Sequence, residues 1–167
     1  VEALGGVSAN EVTVILDNTD RTFSITNKES PFARQLQRNR KIVPWLGAEI
    51  VPGEIEWYTL GTYWSYSWDV PYDSPTASVK AFDTIGLLGT SPFTQHQVMT
   101  NASIGSLIDF VMNDAKKTLG FLEWVVADEL YDVIIPYAWF QPTNHAAALR
   151  RISLCYPMHI YCDRQGR

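Results

Sequence analysis

The chain has 167 residues, with 13 Lys and Arg against 18 Asp and Glu, a formal net charge of −5. With 46% hydrophobic and 19% charged residues it carries enough apolar material for a core and lies far from the composition of disordered chains. The longest apolar run, Val133 to Phe140, is eight residues and contains Pro136, too short for the roughly 20 residues of a membrane-spanning helix, so no membrane span is expected. The acidic sum also removes the attraction that dominates affinity for polyanions, so no direct nucleic-acid recognition is expected.

Cys155 and Cys162 are too few to staple a scaffold, and at this length burial should reach about 70% of the unfolded surface without disulfides. No basic segment, apolar run and small-residue cleavage site open the chain, so no secretory signal is visible. The start at Val1 and the end at Gln165-Gly166-Arg167 read as a piece of something longer.

In chain order, Glu11 to Asn18 reads as a β-branched strand with Val12 and Val14 on one face, closed by an Asn18-Thr19-Asp20-Arg21 turn. Ser30-Pro31-Phe32 to Leu36 predicts one short helix, with Ser30 as cap, Pro31 at the first helical position and Phe32 and Leu36 as its apolar side. Strand character follows from Arg40 to Val51, breaks at Pro52-Gly53 and resumes from Glu54 to Val70, as in a β-meander. Leu60, Trp64, Tyr66, Trp68 and Val70 share one parity and are expected to face inward. After a turn cluster from Pro71 to Pro75, Ala77, Val79 and Ala81 alternate with Ser78, Lys80 and Phe82 in another strand that ends at Asp83.

Gly89 to Thr100 reads as a connection and places a boundary there. Ile104, Leu107, Ile108, Val111, Met112, Ala115 and Leu119 then recur at helical spacing, with Ser103 as cap and Gly120 as stop. Two strand-like stretches, Leu122 to Ala127 and Tyr131 to Tyr137, precede a helix from Thr143 to about Tyr156 with Ala148, Leu149, Ile152 and Tyr156 on one side. Pro157 halts it, and a strand from His159 to Cys162 runs into the turn Asp163 to Gly166.

Phosphate loops, dinucleotide fingerprints and His-Glu-x-x-His are absent from the sequence. Cys155, His159 and Cys162, with His145, have the types of a zinc set, but Pro157 divides them between helix and strand, and core thiols are the plainer reading. Cys155 and His145 as a nucleophile pair would stand about 15 Å apart along one helix. Asp128 with Glu129 and Asp17 with Asp20 are carboxylate pairs of the kind glycoside cleavage needs, yet adjacent acidic residues more commonly form turns. Trp45, Trp57, Tyr58, Tyr63, Trp64, Tyr66 and Trp68 concentrate in one β region. Packing accounts for Trp64, Tyr66 and Trp68, while two or more of Trp45, Trp57 and Tyr63 exposed on one surface would make a sugar-binding face.

The run Val7-Ser8-Ala9-Asn10-Glu11-Val12-Thr13-Val14-Ile15-Leu16-Asp17-Asn18-Thr19-Asp20-Arg21-Thr22-Phe23-Ser24 resembles the opening strand and turn of baseplate hub proteins of phage and prophage tails. Ser30-Pro31-Phe32, Leu36, Leu60-Gly61-Thr62-Tyr63 leading to Trp68, and Ala77 to Asp83 follow in that family's order. So do Ser106-Leu107-Ile108, Gly120, Ile135-Pro136-Tyr137-Ala138 and Ile160 to Gly166. The resemblance implies an α+β chain: a tail-tube-like antiparallel β-barrel in residues 1–90 and a small inserted α/β domain with two main helices in 91–167. Hub chains continue past the Gly166 turn, so the barrel here would be incomplete.

The resemblance further implies a structural viral protein, an oligomer assembled as a ring, in the usual case a trimer, that joins the tail tube to a distal spike or fibre. Its partners would be copies of itself and neighbouring tube, baseplate or spike proteins. Its place would be the virion's tail tip, after synthesis in the bacterial cytoplasm. It offers no catalytic, cofactor-binding or metal-binding residue, and neither enzymatic activity nor a cofactor is expected. A carbohydrate-binding module using exposed aromatics is the alternative. The loop Pro71 to Pro75 and the segment Gly89 to Gln97 are the exposed candidates for partner contact.

Overall fold

A computed structural model of the chain describes residues 7–24, 26–32, 34–72, 74–95 and 97–167. Among these the fold is α+β, with three α-helices and a curled antiparallel half-barrel sheet. The chain divides into two compact units. One comprises Asn10–Thr84 with Asp163–Gly166, and the other Ile85–Cys162 with residues 7–9 and Arg167.

The β unit holds β1 (Glu11–Asp17), β2 (Lys41–Ile42), β3 (Trp45–Val51), β4 (Glu54–Thr59), β5 (Tyr63–Asp69) and β6 (Thr76–Phe82). Four of these form an antiparallel sheet in the order β1-β6-β5-β2, while β3 and β4 pair only with each other. β1 forms as its β-branched alternation predicts: Val12, Val14 and Leu16 stand opposite Ala81, Val79 and Ala77, on the inward face. Asn18 closes the strand. Its backbone N–H donates to the Pro75 carbonyl at 2.6 Å and its side-chain oxygen accepts from the Phe23 N–H at 2.8 Å.

The inward aromatic face expected on β5 is corrected by a bulge. Trp64 pairs with Phe82 and Ser65 with Ala81, but after the register shift Trp68 pairs with Val79. Because directly opposed residues share a face, Trp68 turns inward with Val79, whereas Trp64 stands on the outer face with Phe82. Tyr66, at the bulge, is exposed and packs against the Phe82 ring, centroids 5.1 Å apart. The residue that reaches the interior is Ser65, 1% exposed, whose hydroxyl donates to the Gln37 carbonyl at 2.6 Å and accepts from the Arg40 N–H at 2.9 Å.

The short helix expected from Ser30 to Leu36 is also corrected. The described residues there form turns, and Ala33 lies outside them. Ser30 does act as a cap-like acceptor, taking the Phe32 N–H at 3.1 Å, and its hydroxyl bonds the Thr22 carbonyl. One turn of helix with two apolar residues does not repay the cost of nucleation, and Phe32 instead stacks on Phe23 at 5.3 Å. The end of the unit is tied by Asp83, whose carboxylate accepts from the Asn10 backbone N–H at 2.8 Å and side-chain amide at 2.9 Å. Thr84 donates to the Gly166 carbonyl at 2.8 Å, which seats the Asp163–Gly166 turn in this unit.

The second unit holds α1 (Thr84–Thr90, from its second residue), β7 (Pro92–Phe93), β8 (Met99–Ser103), α2 (Ile104–Leu119), β9 (Ile134–Ala138), β10 (Thr143–Asn144) and α3 (His145–Cys155). α2 is the element expected from its spacing. Ser103 caps it by accepting the Ser106 N–H, and Gly120 ends it in the left-handed region at φ 82°. Its buried stripe packs with Phe93, Leu122, Phe140, Leu149 and Ile152 into one core.

Several expectations change here. Part of the Gly89 to Thr100 connection is ordered, since α1 and β7 fall within or beside it and β8 begins at Met99 and pairs with β9. Leu122 to Ala127 forms no strand: its burial alternates, but it has no ladder, and the Trp124 indole instead donates to Asp109 at 2.8 Å. Tyr131 belongs to a 3-10 turn, Asp128–Tyr131, and its hydroxyl donates to the same Asp109 at 2.7 Å. Gly105 makes room for that ring, since a Cβ there would sit 2.6 Å from Tyr131 Cδ1. α3 starts at His145, two residues after the expected opening at Thr143, capped by Asn144, and ends at Cys155 with Tyr156 exposed. Of the strand expected from His159 to Cys162, Ile160 forms a single parallel bridge to Val7.

His145 is fully buried at the start of α3. The Ser91 carbonyl can only accept, so Nδ1 donates to it across 3.0 Å, and Nε2 faces Asp114 Oδ2 at 3.1 Å. The ring packs on Phe93, with centroids 5.3 Å apart. His145→Ala removes the partner of two polar groups and opens a cavity beside Phe93. It should cost about 3 kcal/mol, read as a lowered denaturation midpoint with the cooperative slope retained.

Candidate interaction surface

β3 and β4 are joined by Pro52-Gly53, with Gly53 at φ 90°, and Glu49 accepts the Gly53 N–H at 2.8 Å to close the turn. The result is a two-stranded ribbon whose register places Trp45, Gly47 and Glu49 opposite Thr59, Trp57 and Ile55. Trp45 and Trp57 therefore share one face, at 58% and 59% exposure, and the Trp57 ring lies over Gly47, where a Cβ would approach it within 3.0 Å. The opposite face carries Leu46, Tyr58 and Val51, all exposed, and Ile50 protrudes at the register shift.

This is an unusual surface for a small domain. Seven large apolar residues, each about half exposed, present roughly 600–1,000 Å² over the two faces together, so that each face alone is about the 300–600 Å² of the largest patch of a typical monomer. A two-stranded ribbon is marginal in water by itself, and this one has no sheet neighbour on either side. Its charges have one sign: Glu49, Glu54 and Glu56, with no Lys or Arg between Trp45 and Leu60. Glu56 accepts from the Tyr58 hydroxyl, which holds that phenol above its usual range. The four-stranded sheet has open edges too, at β1, where Ile15 is exposed, and at β2. Such a surface can bury apolar area against a protein and complete its backbone hydrogen bonds with a neighbour's strand.

The sequence-derived chemical candidates do not gather elsewhere. Both nitrogens of His145 are engaged by Ser91 and Asp114, Cys155 is exposed at the far end of α3, and among the described residues no three His, Cys, Asp or Glu side chains form a metal-holding group. Asp128 and Glu129 are exposed in the first turn of the 3-10 segment. Asp17 accepts from Thr19 and Asp20 from Thr22, each closing a local turn. Of the aromatics, Trp45, Trp57 and Tyr58 lie on the ribbon, while Tyr63 and Trp64 are half-buried on β5. Leu46, Ile50, Val51 and Ile55, which complete the exposed surface, lie in stretches expected as strands with no exposed face assigned. Glu on both sides of the Pro52-Gly53 turn was the signal available for a solvent-facing ribbon. Of the candidate contact loops, Asp73 and His96 lie outside the described residues, and Tyr72 and Gln97 are exposed.

No helix among the described residues is long and apolar enough to cross a membrane. Comparison with protein-family models, with characterised proteins and with solved structures finds no match.

Hydrogen bonds from Thr19 and Thr22 hold the Asp17 and Asp20 carboxyls below their usual range. A carboxyl lowered in the folded state contributes stability above its unfolded value, and that contribution is lost as pH falls through the folded one. Both should titrate below free aspartate in a carboxyl NMR titration, and Thr19→Ala should return Asp17 toward the ordinary value, whereas a shared catalytic proton would raise one of the pair.

Proposed function

We propose that this chain is a structural hub or adaptor of a phage tail or tail-like particle, joining the tail tube to the distal spike or fibre. In this reading the half-barrel is a tail-tube-like barrel portion, the second unit is the inserted α/β domain, and copies assemble as a ring, a trimer in the family's usual form. The observation that carries it is the ribbon of β3 and β4, apolar on both faces, set beside a sheet with two open edges. A chain built this way lacks the surfaces that would close it, and copies of itself with tube, baseplate or spike proteins supply them. The segment order shared with baseplate hub proteins gives the same direction. The role is mechanical, with no catalytic residue or cofactor assigned, and its place is the tail tip of the virion.

Immunogold electron microscopy of tail-like particles from the producing strain, with an antibody to this chain, tests the proposal. Label confined to the distal end of the tube is expected, and particles without label at that end overturn it.

Trp45 and Trp57, side by side on one ribbon face, favour one second reading, a sugar platform. That reading requires tryptophan fluorescence to shift on titration with N-acetylglucosamine oligomers and the shift to vanish in Trp57→Ala. A flat titration removes it.

A further inference from the structure

The charges of the β unit are segregated along the chain. From Lys28 to Lys41 there are five cations, Lys28, Arg34, Arg38, Arg40 and Lys41, against the single acid Glu29, and all five are exposed. Immediately after them comes the ribbon, with three acids and no cation. The basic stretch ends in β2, an edge strand two residues long whose outer side is open. Among the described residues Lys41 and Glu54 have no ion-pair partner inside the chain.

A cationic edge repels another copy of itself, and an acidic ribbon does the same, but each complements the other. About half of the ribbon's exposed apolar area, roughly 300–500 Å², lies on the face that carries Glu54 and Glu56, a large share of the ~800 Å² that a stable interface takes from one partner. We infer that the occupant of this ribbon is a second copy of the chain, bound head to tail. Glu54 and Glu56, which share a face with Leu46 and Tyr58, would meet Arg38 and Lys41 on the next copy, with Leu46 and Tyr58 buried between them. Such a contact uses two different patches, so it propagates from copy to copy, and it gives the proposed ring where the rotation between copies closes. The inference rests on the assembly proposed above and names the surfaces that make it.

The test is sedimentation velocity on the whole chain and two charge-reversed variants, Glu54→Lys with Glu56→Lys, and Arg38→Glu with Lys41→Glu. All four positions are exposed, and circular dichroism checks the fold. The parent should self-associate and dissociate as salt is raised toward about 1 M, where the screening length is ~3 Å. Each variant alone opposes like charges and should raise the dissociation constant at least about tenfold. Mixed in equal amounts, the two variants recreate opposite charges wherever unlike copies meet and should associate again, an odd-numbered ring being left with one like-charged contact, and misfolded proteins could not do this.

Variants that associate like the parent, or that stay monomeric when mixed, overturn the interface. A parent that is monomeric at all concentrations overturns it too, and if such a monomer binds N-acetylglucosamine oligomers the ribbon belongs to sugar. Particle labelling separates the two claims: label at the tube's distal end with an overturned interface leaves the hub reading standing, and its absence removes both.

Discussion

The β unit depends on a sheet whose interior is built from small residues. Ala77, Val79 and Ala81 line β6, Ser65 reaches the same face from β5, and the larger Trp68 joins them only because a bulge resets its parity. At about 25 cal/mol per Å² of buried apolar surface, such a face yields far less than the Phe93-centred core of the other unit. The half-barrel is therefore held by placed hydrogen bonds. Asn18 binds the first turn to Pro75, Ser65 binds β5 to the strand-entry segment at Gln37 and Arg40, and Asp83 fastens the end of β6 to Asn10. Each of these polar groups is buried and satisfied, the condition under which burial of a polar atom ceases to be a penalty.

The second unit solves the same problem with volume. α2 presents an unbroken apolar stripe, and Phe93 meets Phe110 and Phe140 edge-on at 5.9 and 5.5 Å. Its irregular stretch from Phe121 to Asp132 has no ladder to hold it, so Asp109 takes that role, accepting from both Trp124 and Tyr131. One carboxylate on the outer side of a helix thus fixes two distant points of a loop. The hydrogen bond to Asp109 also holds the Tyr131 phenol above its usual range. Gly105 is needed for the ring to approach.

Where the period was long and clean, sequence alone was sufficient: α2 with its Ser103 and Gly120 ends, the alternation of β1 and β6, and the Pro52-Gly53 break all stand in the fold. The reading failed where a single residue changes the phase. Parity on β5 was projected straight through Tyr66, but one bulged residue exchanges the faces on either side of it, and nothing local in Trp-Ser-Tyr-Ser-Trp announces the shift. The ribbon's strands and turn were legible, but the exposure of its apolar residues was not. Leu46, Ile50, Val51 and Ile55 have the composition of strand interior, and composition does not reveal whether a third strand covers them. The zinc set and the carboxylate pairs were assembled from residue types, and the fold places His145, Cys155 and the acidic residues in separate structural roles.

An exposed apolar ribbon also needs protection from wrong pairing, and its sequence supplies it. Two ribbons pairing symmetrically through β4 would set Glu54 and Glu56 of one copy near those of the other, and like charges across a strand pair destabilise it. The register shift between Glu49 and Val51 breaks the regular edge of β3, and Pro52 stands beside it. Irregular, charged edges are how sheet proteins suppress edge-to-edge aggregation. These devices bear on edge-to-edge pairing while leaving both faces free, and Glu54 and Glu56 make the Leu46 and Tyr58 face acidic as well as apolar. Specificity of that form comes from the repulsive terms as much as from the attractive ones, and here the repulsive terms act against symmetric ribbon-to-ribbon pairing.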